Sequence, residues 1–189
     1  MHKTIPILGI VASGSNAGKT TLITQLIPEM AKRHIRVSVI KHAHHAFDID
    51  HVGKDSYKIR ESGAVQTLIA SSKRWALMTE THRLPEAMIE AKSETNLADL
   101  VTQINPNYAD LILVEGFKHA VIHQKPVPKI EVYRPSLDLP LLASSDSSII
   151  AVASDAGLAI DIPILNLNNI QQIADFIVIK IIQTQSGRT

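Results

Sequence analysis

The sequence predicts an α/β fold, a mostly parallel central sheet flanked by helices with antiparallel hairpin additions. Three observations carry that prediction. A short apolar run at residues 5–12 passes through a glycine-containing turn into an amphipathic segment at 18–33. A second apolar run at 37–41 completes a strand-loop-helix-strand opening of the kind that builds parallel sheets. Further apolar runs at 110–114, 129–133, 148–153 and 163–165 have the length and composition of buried strands.

The elements follow in chain order. In the first helix Leu22, Ile23, Leu26, Ile27 and Met30 recur at helical spacing and face the sheet, while Lys32, Arg33 and His34 suit the negative end of the helix dipole. Pro28 removes a backbone donor and crowds the carbonyl of Thr24, so a kink is expected there. A polar segment at 43–54, rich in His, Asp and Gly, precedes a short helix that opens at Asp55 or Ser56 and closes near Gly63. Residues 65–70 and 75–79 read as two strands of a tight hairpin around Ser71-Ser72-Lys73-Arg74. A helix at 97–104 precedes the 110–114 strand, and the 129–133 strand is bracketed by Pro126, Pro128 and Pro135. The final helix sets Ile170, Ile173, Ala174, Ile177 and Ile181 on one face, and a frayed tail is expected over 184–189.

A chain of 189 residues fits a single domain with its own core. Nineteen Lys and Arg against eighteen Asp and Glu leave no general field to attract nucleic acid or an anionic membrane, so any anion site must be local. The absence of cysteine excludes disulfides, thiolate zinc sites and thiol nucleophiles. The first apolar run ends in a glycine-lysine loop and is too short to be a signal segment, and no run is long enough to span a membrane. A cytoplasmic location is therefore expected.

Residues 13–21, Ser-Gly-Ser-Asn-Ala-Gly-Lys-Thr-Thr, have the form of a P-loop, and the fold expected is that of a P-loop NTPase. Gly18, Lys19 and Thr20 match the pattern, while Ser13 stands where the first glycine is usual. Gly14 and Gly18 let backbone N–H groups of Gly14, Ser15, Asn16, Ala17, Gly18 and Thr21 approach phosphate, Lys19 reaches the terminal phosphates, and Thr20 coordinates Mg2+. An acidic group at the end of a neighbouring buried strand is also required, and Leu111-Ile112-Leu113-Val114-Glu115-Gly116 supplies it. Glu115 is thus the candidate catalytic and metal-site carboxylate, in direct or water-mediated contact with magnesium; a solvated strand end is the plainer alternative.

His42, His44, His45 and His51 lie close in sequence to Asp48, Asp50 and Asp55. Three readings are open: a transition-metal site, a polar surface loop, and a segment bordering the nucleotide in which Asp48 or Asp50 holds a magnesium-bound water. Adjacent histidines on a strand end point to opposite sides and no thiolate is present, which weighs against the first; the third is preferred. Asp155 follows a buried run, where a carboxylate accepting from guanine N1–H and the exocyclic amine is often found; a Ser-Asp turn or helix cap accounts for it equally.

Several segments together resemble the molybdopterin-guanine dinucleotide biosynthesis adapter (MobB) family. They are Gly18-Lys19-Thr20-Thr21-Leu22, Lys41-His42-Ala43-His44-His45, Gly53-Lys54-Asp55-Ser56-Tyr57, Arg74-Trp75-Ala76-Leu77-Met78-Thr79-Glu80, Leu113-Val114-Glu115-Gly116-Phe117-Lys118-His119 and Ile150-Ala151-Val152-Ala153-Ser154-Asp155. The resemblance covers most of the chain and weakens over 81–108 and 120–147. It implies GTP binding with weak GTPase activity at most, and a supporting role where a separate guanylyltransferase attaches GMP to molybdopterin. It also implies a homodimer with β-structure extending between subunits. The loop, with Ser15-Asn16-Ala17 between its glycines, is longer than the family's Ser-Gly-x-Gly-Lys-Thr form.

Two other function classes fit part of the pattern. A small-molecule kinase would use a similar loop, but Arg74, Arg83 and Arg134 are scattered rather than gathered in a lid. A metal-delivery GTPase would rest on the His-rich segment alone, without thiolates to strengthen it.

Overall fold

A computed structural model describes residues 4–43, 47–85 and 96–184. His44 and His45, and all of the expected tail except Thr184, lie outside the described residues. The chain forms two compact units, one of residues 1–42 and 97–189 and the other of residues 43–96.

The larger unit is built on a parallel sheet of six strands: β1 (Ile7–Val11), β2 (Val37–Lys41), β5 (Leu111–Glu115), β8 (Lys129–Tyr133), β9 (Ile149–Ser154) and β10 (Ile164–Asn166). Their order across the sheet is β10-β9-β8-β1-β5-β2. The P-loop strand β1 therefore sits centrally, between β8 and the strand that ends in Glu115. Sequence periodicity locates these six runs to within a residue or two at each end; helices cross over between β1, β2 and β5, while the connections from β5 to β10 are made by a hairpin, 3-10 turns and loop.

Both faces of the sheet are covered, which explains why its central strands read as continuous apolar runs rather than alternating ones. Leu8, Ile10, Leu111, Leu113, Ile130 and Val132 pack against α1 (Lys19–Lys32) and the C-terminal α4 (Ile170–Ile177). Ile40, Ile112 and Val114 turn to the opposite face and pack around Leu97 at the start of the short helix α3 (Leu97–Thr102). Each fully buried Leu or Ile of this kind contributes roughly 1.5–3 kcal/mol. Helix α1 runs through Pro28 as one element. Its end is tied to α4 by Arg33, which bonds Glu29 one turn back and Asp175 at 2.7 Å. The helix after α4 loosens into a π-turn over Val178–Gln183 while still burying Ile181.

Two features of this unit are not marked in the sequence. Val121–Ile122 (β6) and Lys125–Pro126 (β7) form a miniature hairpin whose two turn residues, His123 and Gln124, both have positive φ without being glycine or asparagine. The register of the edge strand β2 is fixed by a two-pronged bond. Arg36 Nε and Nη2 donate to the two carboxylate oxygens of Asp110 at 2.8 and 2.9 Å, and the Arg36 amide adds a third bond at 3.0 Å. That anchor aligns Val37 with Leu111 at one end and Lys41 with Glu115 at the other.

The smaller unit holds α2 (Asp55–Glu61) and an antiparallel hairpin, β3 (Gln66–Ala70) with β4 (Trp75–Thr79), as the sequence expects. Among the described residues the hairpin pairs only with itself rather than extending a sheet edge. Arg60 anchors the unit, bonding Asp48 at 2.5 Å and Glu80 at 3.2 Å, with its guanidinium 5.1 Å from the Tyr57 ring centre.

Gly9 shows how little slack the central sheet has. A Cβ there would lie 2.9 Å from Cγ of Lys129, whose buried side chain is pinned at its far end by Asp146 at 2.8 Å and Ser148 at 2.7 Å. The lysine cannot swing away without losing that pair. Gly9→Ala is expected to lower unfolding free energy by about 1–3 kcal/mol, read from urea denaturation; an unchanged midpoint would show that the pinned lysine yields freely.

Candidate functional site

The turn from β1 into α1 is the P-loop. Its conformation depends on two left-handed residues, Asn16 at φ 62° and Gly18 at φ 104°. Asparagine tolerates that region and glycine has no side chain to clash there. Ala17 between them is buried, so the loop is pinned from beneath while Ser15 and Asn16 face solvent. Intrahelical bonding starts only with Leu22 N–H to the Gly18 carbonyl at 2.9 Å. The amides before it open the positive end of a 14-residue helix toward the loop.

Ser13 replaces the usual first glycine, and its hydroxyl donates to the carbonyl of Pro140. Gly14 leaves room for Leu139, whose Cδ1 would stand 2.7 Å from an added Cβ. Residues 138–145 thus lie against the loop, and they are held in turn by Glu131. That wholly buried carboxylate accepts the amides of Leu142 at 2.9 Å and Ala143 at 2.8 Å. Burial raises its pKa, against the pull of the two amides.

Around the loop the structure gathers Lys19, Lys41, Glu115, Lys118 and Arg134. Glu115, nearly buried at the end of β5, accepts the Thr20 hydroxyl at 2.9 Å. The contact follows from parity: Leu111, Leu113 and Glu115 share the sheet face covered by α1, so the last of them meets the helix start. Lys41 at the end of β2 reaches the same carboxylate oxygen at 3.2 Å and the Thr20 hydroxyl at 3.4 Å. Lys19 Nζ donates to the Gly14 carbonyl at 2.9 Å, and Lys118 Nζ to the Ser13 carbonyl at 2.8 Å. Burial lowers the pKa of Lys19; Glu115 opposes that shift, and the nearby Lys118 and Lys41 add to it. Gly116, at φ 93°, turns the chain beside His42, which stacks on Phe117 with ring centres 4.6 Å apart.

Asp155 lies just beyond β9 and is bonded through Oδ2 to Nη1 of Arg134. The same guanidinium donates from Nε to the Ala17 carbonyl at 3.2 Å, linking Asp155 to the phosphate loop through one side chain. Thr21 is exposed on the first turn of α1. In the smaller unit, both oxygens of Asp48 are engaged, by the Asp50 amide and by Arg60, and these contacts hold its pKa low. Asp50 accepts the His51 amide and the Ser56 hydroxyl through Oδ1, and its buried Oδ2 lacks a hydrogen-bond partner among the described residues. Among the described residues no three His, Asp or Glu side chains converge as a metal site.

Lys41, Lys118, Arg134 and Glu131 belong to this region; the first two stand in segments that carry the family resemblance, but the sequence marks none of the four as a site residue. A signal for the first is available: strands of an open parallel sheet deliver their C-terminal ends to one crevice, and Lys41 is the last residue of a strand level with Glu115. Arg134, just past the end of β8, shares that signal, whereas Glu131 carries no mark because its role depends on how the 135–145 segment folds back. The donor set fits a magnesium-bound polyphosphate. A hydroxyl and a carboxylate meet at one point, as hard cations require, and cationic side chains border a helix N-terminus.

The model of the family "Molybdopterin guanine dinucleotide synthesis protein B" matches residues 7–155. A molybdopterin-guanine dinucleotide biosynthesis adapter protein of Haemophilus influenzae is 45% identical over 177 residues, covering 94% of this chain and 90% of its own. The Escherichia coli protein of the same name is 43% identical over 184 residues, covering 97% of each chain. A crystal structure of a molybdopterin-guanine biosynthesis protein B superposes with TM-score 0.64 at 28% identity, covering 91% of this chain and 97% of that one. The Bacillus subtilis MobB structure, at 20% identity and TM-score 0.66 over 94% of this chain and 98% of its own, shares the fold. With the phosphate loop, its neighbouring acidic strand end and the parallel sheet in place, the chain belongs to the MobB family, molybdopterin guanine dinucleotide synthesis protein B.

Proposed function

We propose that this chain is a GTP-binding adapter that supports attachment of GMP to molybdopterin in molybdenum-cofactor biosynthesis, acting beside a separate guanylyltransferase. The observation that carries the reading is the meeting of Lys19, Thr20 and Glu115 at the mouth of the loop in a chain of this family. Backbone amides of residues 14–21 and Lys19 bind the phosphates; Thr20 and Glu115 hold Mg2+, which when bound neutralises charge on the phosphate oxygens. Asp48 and Asp50, considered in the sequence for a magnesium-bound water, both belong to the smaller unit.

Binding comes before turnover in this reading. Glu115, the candidate general base, is held by Thr20 and Lys41, an arrangement suited to ordering a cation and consistent with weak GTPase activity at most. A kinase reading gains no support from the arginines: Arg83 is bonded to the Arg60 and Ala64 carbonyls within the smaller unit, and Arg134 to Asp155 and the loop. No described helix is long and apolar enough to cross a membrane, and the cytoplasm is the proposed location. A homodimer belongs to the same proposal, because one face of the β3–β4 hairpin aligns Leu68 with Leu77 and Ala70 with Trp75, all exposed.

Calorimetry with GTP and ATP tests the base assignment. Asp155 accepts from guanine through the oxygen that Arg134 leaves available, so GTP should bind more tightly than ATP, and Asp155→Asn should cost about tenfold in GTP affinity. Equal affinities would sink the guanine assignment. The phosphate assignment has its own signature. An anion beside Lys19 raises the pKa that burial lowers, so the complex holds more proton than the free protein. GTP affinity should therefore fall as pH rises through the depressed Lys19 pKa, with proton uptake seen as a buffer-dependent binding enthalpy that Lys19→Ala abolishes. For the dimer, sedimentation should show two chains together, and Leu68→Glu with Trp75→Glu should yield a folded monomer. A wild-type monomer at micromolar concentration would reject it.

A further inference from the structure

The ammonium group of Lys41 stands where the magnesium ion of a P-loop site is expected. Its Nζ lies 3.2 Å from Glu115 Oε1 and 3.4 Å from Thr20 Oγ1, and these two oxygens are themselves 2.9 Å apart. They are the same hydroxyl and carboxylate that form the proposed cation site. The placement is not the accident of a long side chain. Lys41 and Glu115 are aligned residues of adjacent parallel strands, and the Arg36–Asp110 fork at the other end of those strands fixes the alignment.

We infer that Lys41 is a built-in counter-cation of the nucleotide site, which occupies the Thr20–Glu115 position when no metal is bound and supplies charge to the polyphosphate when one is. The inference rests on the phosphate-binding reading above and adds to it a role for a residue outside the loop. Three considerations carry it. Glu115 is nearly buried, and a buried carboxylate requires a cation or hydrogen bonds; Lys41 and Thr20 provide both without a metal. Lys41 is itself more than half exposed, so its ammonium can leave the carboxylate for a phosphate at little cost in desolvation. Lys19 and Lys118 border the same loop, and Glu131, the other carboxylate within reach of Lys118, is turned away to the Leu142 and Ala143 amides. Three ammonium groups therefore face an incoming polyphosphate. Binding of a nucleoside triphosphate should depend only weakly on Mg2+, and the free protein should bind divalent metal poorly because Lys41 competes for both ligands.

The test uses full-length protein in wild-type, Lys41→Met and Lys41→Arg forms. GTP binding is measured by calorimetry with Mg2+ and with EDTA, and Mn2+ binding without nucleotide by electron paramagnetic resonance. Mg2+ should tighten GTP binding by less than about threefold in wild type and by more than about tenfold in Lys41→Met. The Arg variant, which keeps the charge, should resemble wild type and also reports that position 41 tolerates change. Without nucleotide, Lys41→Met should bind Mn2+ about tenfold more tightly than wild type, and adding Thr20→Val should reverse the gain. An equal Mg2+ factor in all three proteins, with unchanged Mn2+ affinity, overturns the inference while leaving phosphate binding intact. Failure of wild type to bind GTP with Mg2+ rejects the phosphate-binding reading and this inference together.

Discussion

Everything at the loop depends on the register of three adjacent parallel strands. Because β5 lies between β1 and β2, Ile10 is level with Glu115 and Glu115 with Lys41, and helix α1 starts a few residues beyond the end of β1. A slip of one residue in β5 would turn Glu115 to the face packed around Leu97 and bring Val114 to the mouth of the loop. The Arg36–Asp110 fork therefore bears on chemistry that takes place at the opposite end of the strands. It is an exposed ion pair of small intrinsic stability. Its value lies in alignment, because two planar groups meeting with paired bonds admit one register and no other.

The 138–145 segment supplies a second constraint. Glu131 projects from β8 and fixes the segment by its backbone, and the segment returns to the loop through Pro140 and Leu139. A P-loop with Ser in place of the first glycine keeps its shape here because that serine has acquired a partner. The same packing restricts Gly14, so the two residues that open the loop are held on one side by apolar contact and on the other by the lysines bonded to their carbonyls.

Much of this is legible in the sequence, for identifiable reasons. The strands of the sheet are short apolar runs with β-branched residues and turn signals at their ends. α1 announces itself by its spacing, and Gly18-Lys19-Thr20 with the strand ending in Glu115 gives the core of the site. What stays hidden are contacts between segments far apart in the chain. Arg134 bonds a loop carbonyl 117 positions earlier, and Lys118 one 105 positions earlier. No local periodicity encodes either. The β6–β7 hairpin is silent in the sequence because its turn uses His123 and Gln124 in a conformation normally marked by glycine or asparagine. His42, grouped in the sequence with possible metal ligands, is packed against Phe117 beside Gly116, an environment that a run of neighbouring histidines does not reveal.

The threading of Lys129 beneath Gly9 bears on how such a chain can diverge. The missing side chain at one position and the aliphatic stem at the other fill a single space between β1 and β8. Asp146 and Ser148, which also bond each other, both accept from that lysine's ammonium group. Positions 9, 129, 146 and 148, drawn from both segments of the larger unit, thus form one unit of inheritance. A descendant that enlarges residue 9 must shorten residue 129, and one that shortens residue 129 leaves the Asp146 carboxylate without its cation.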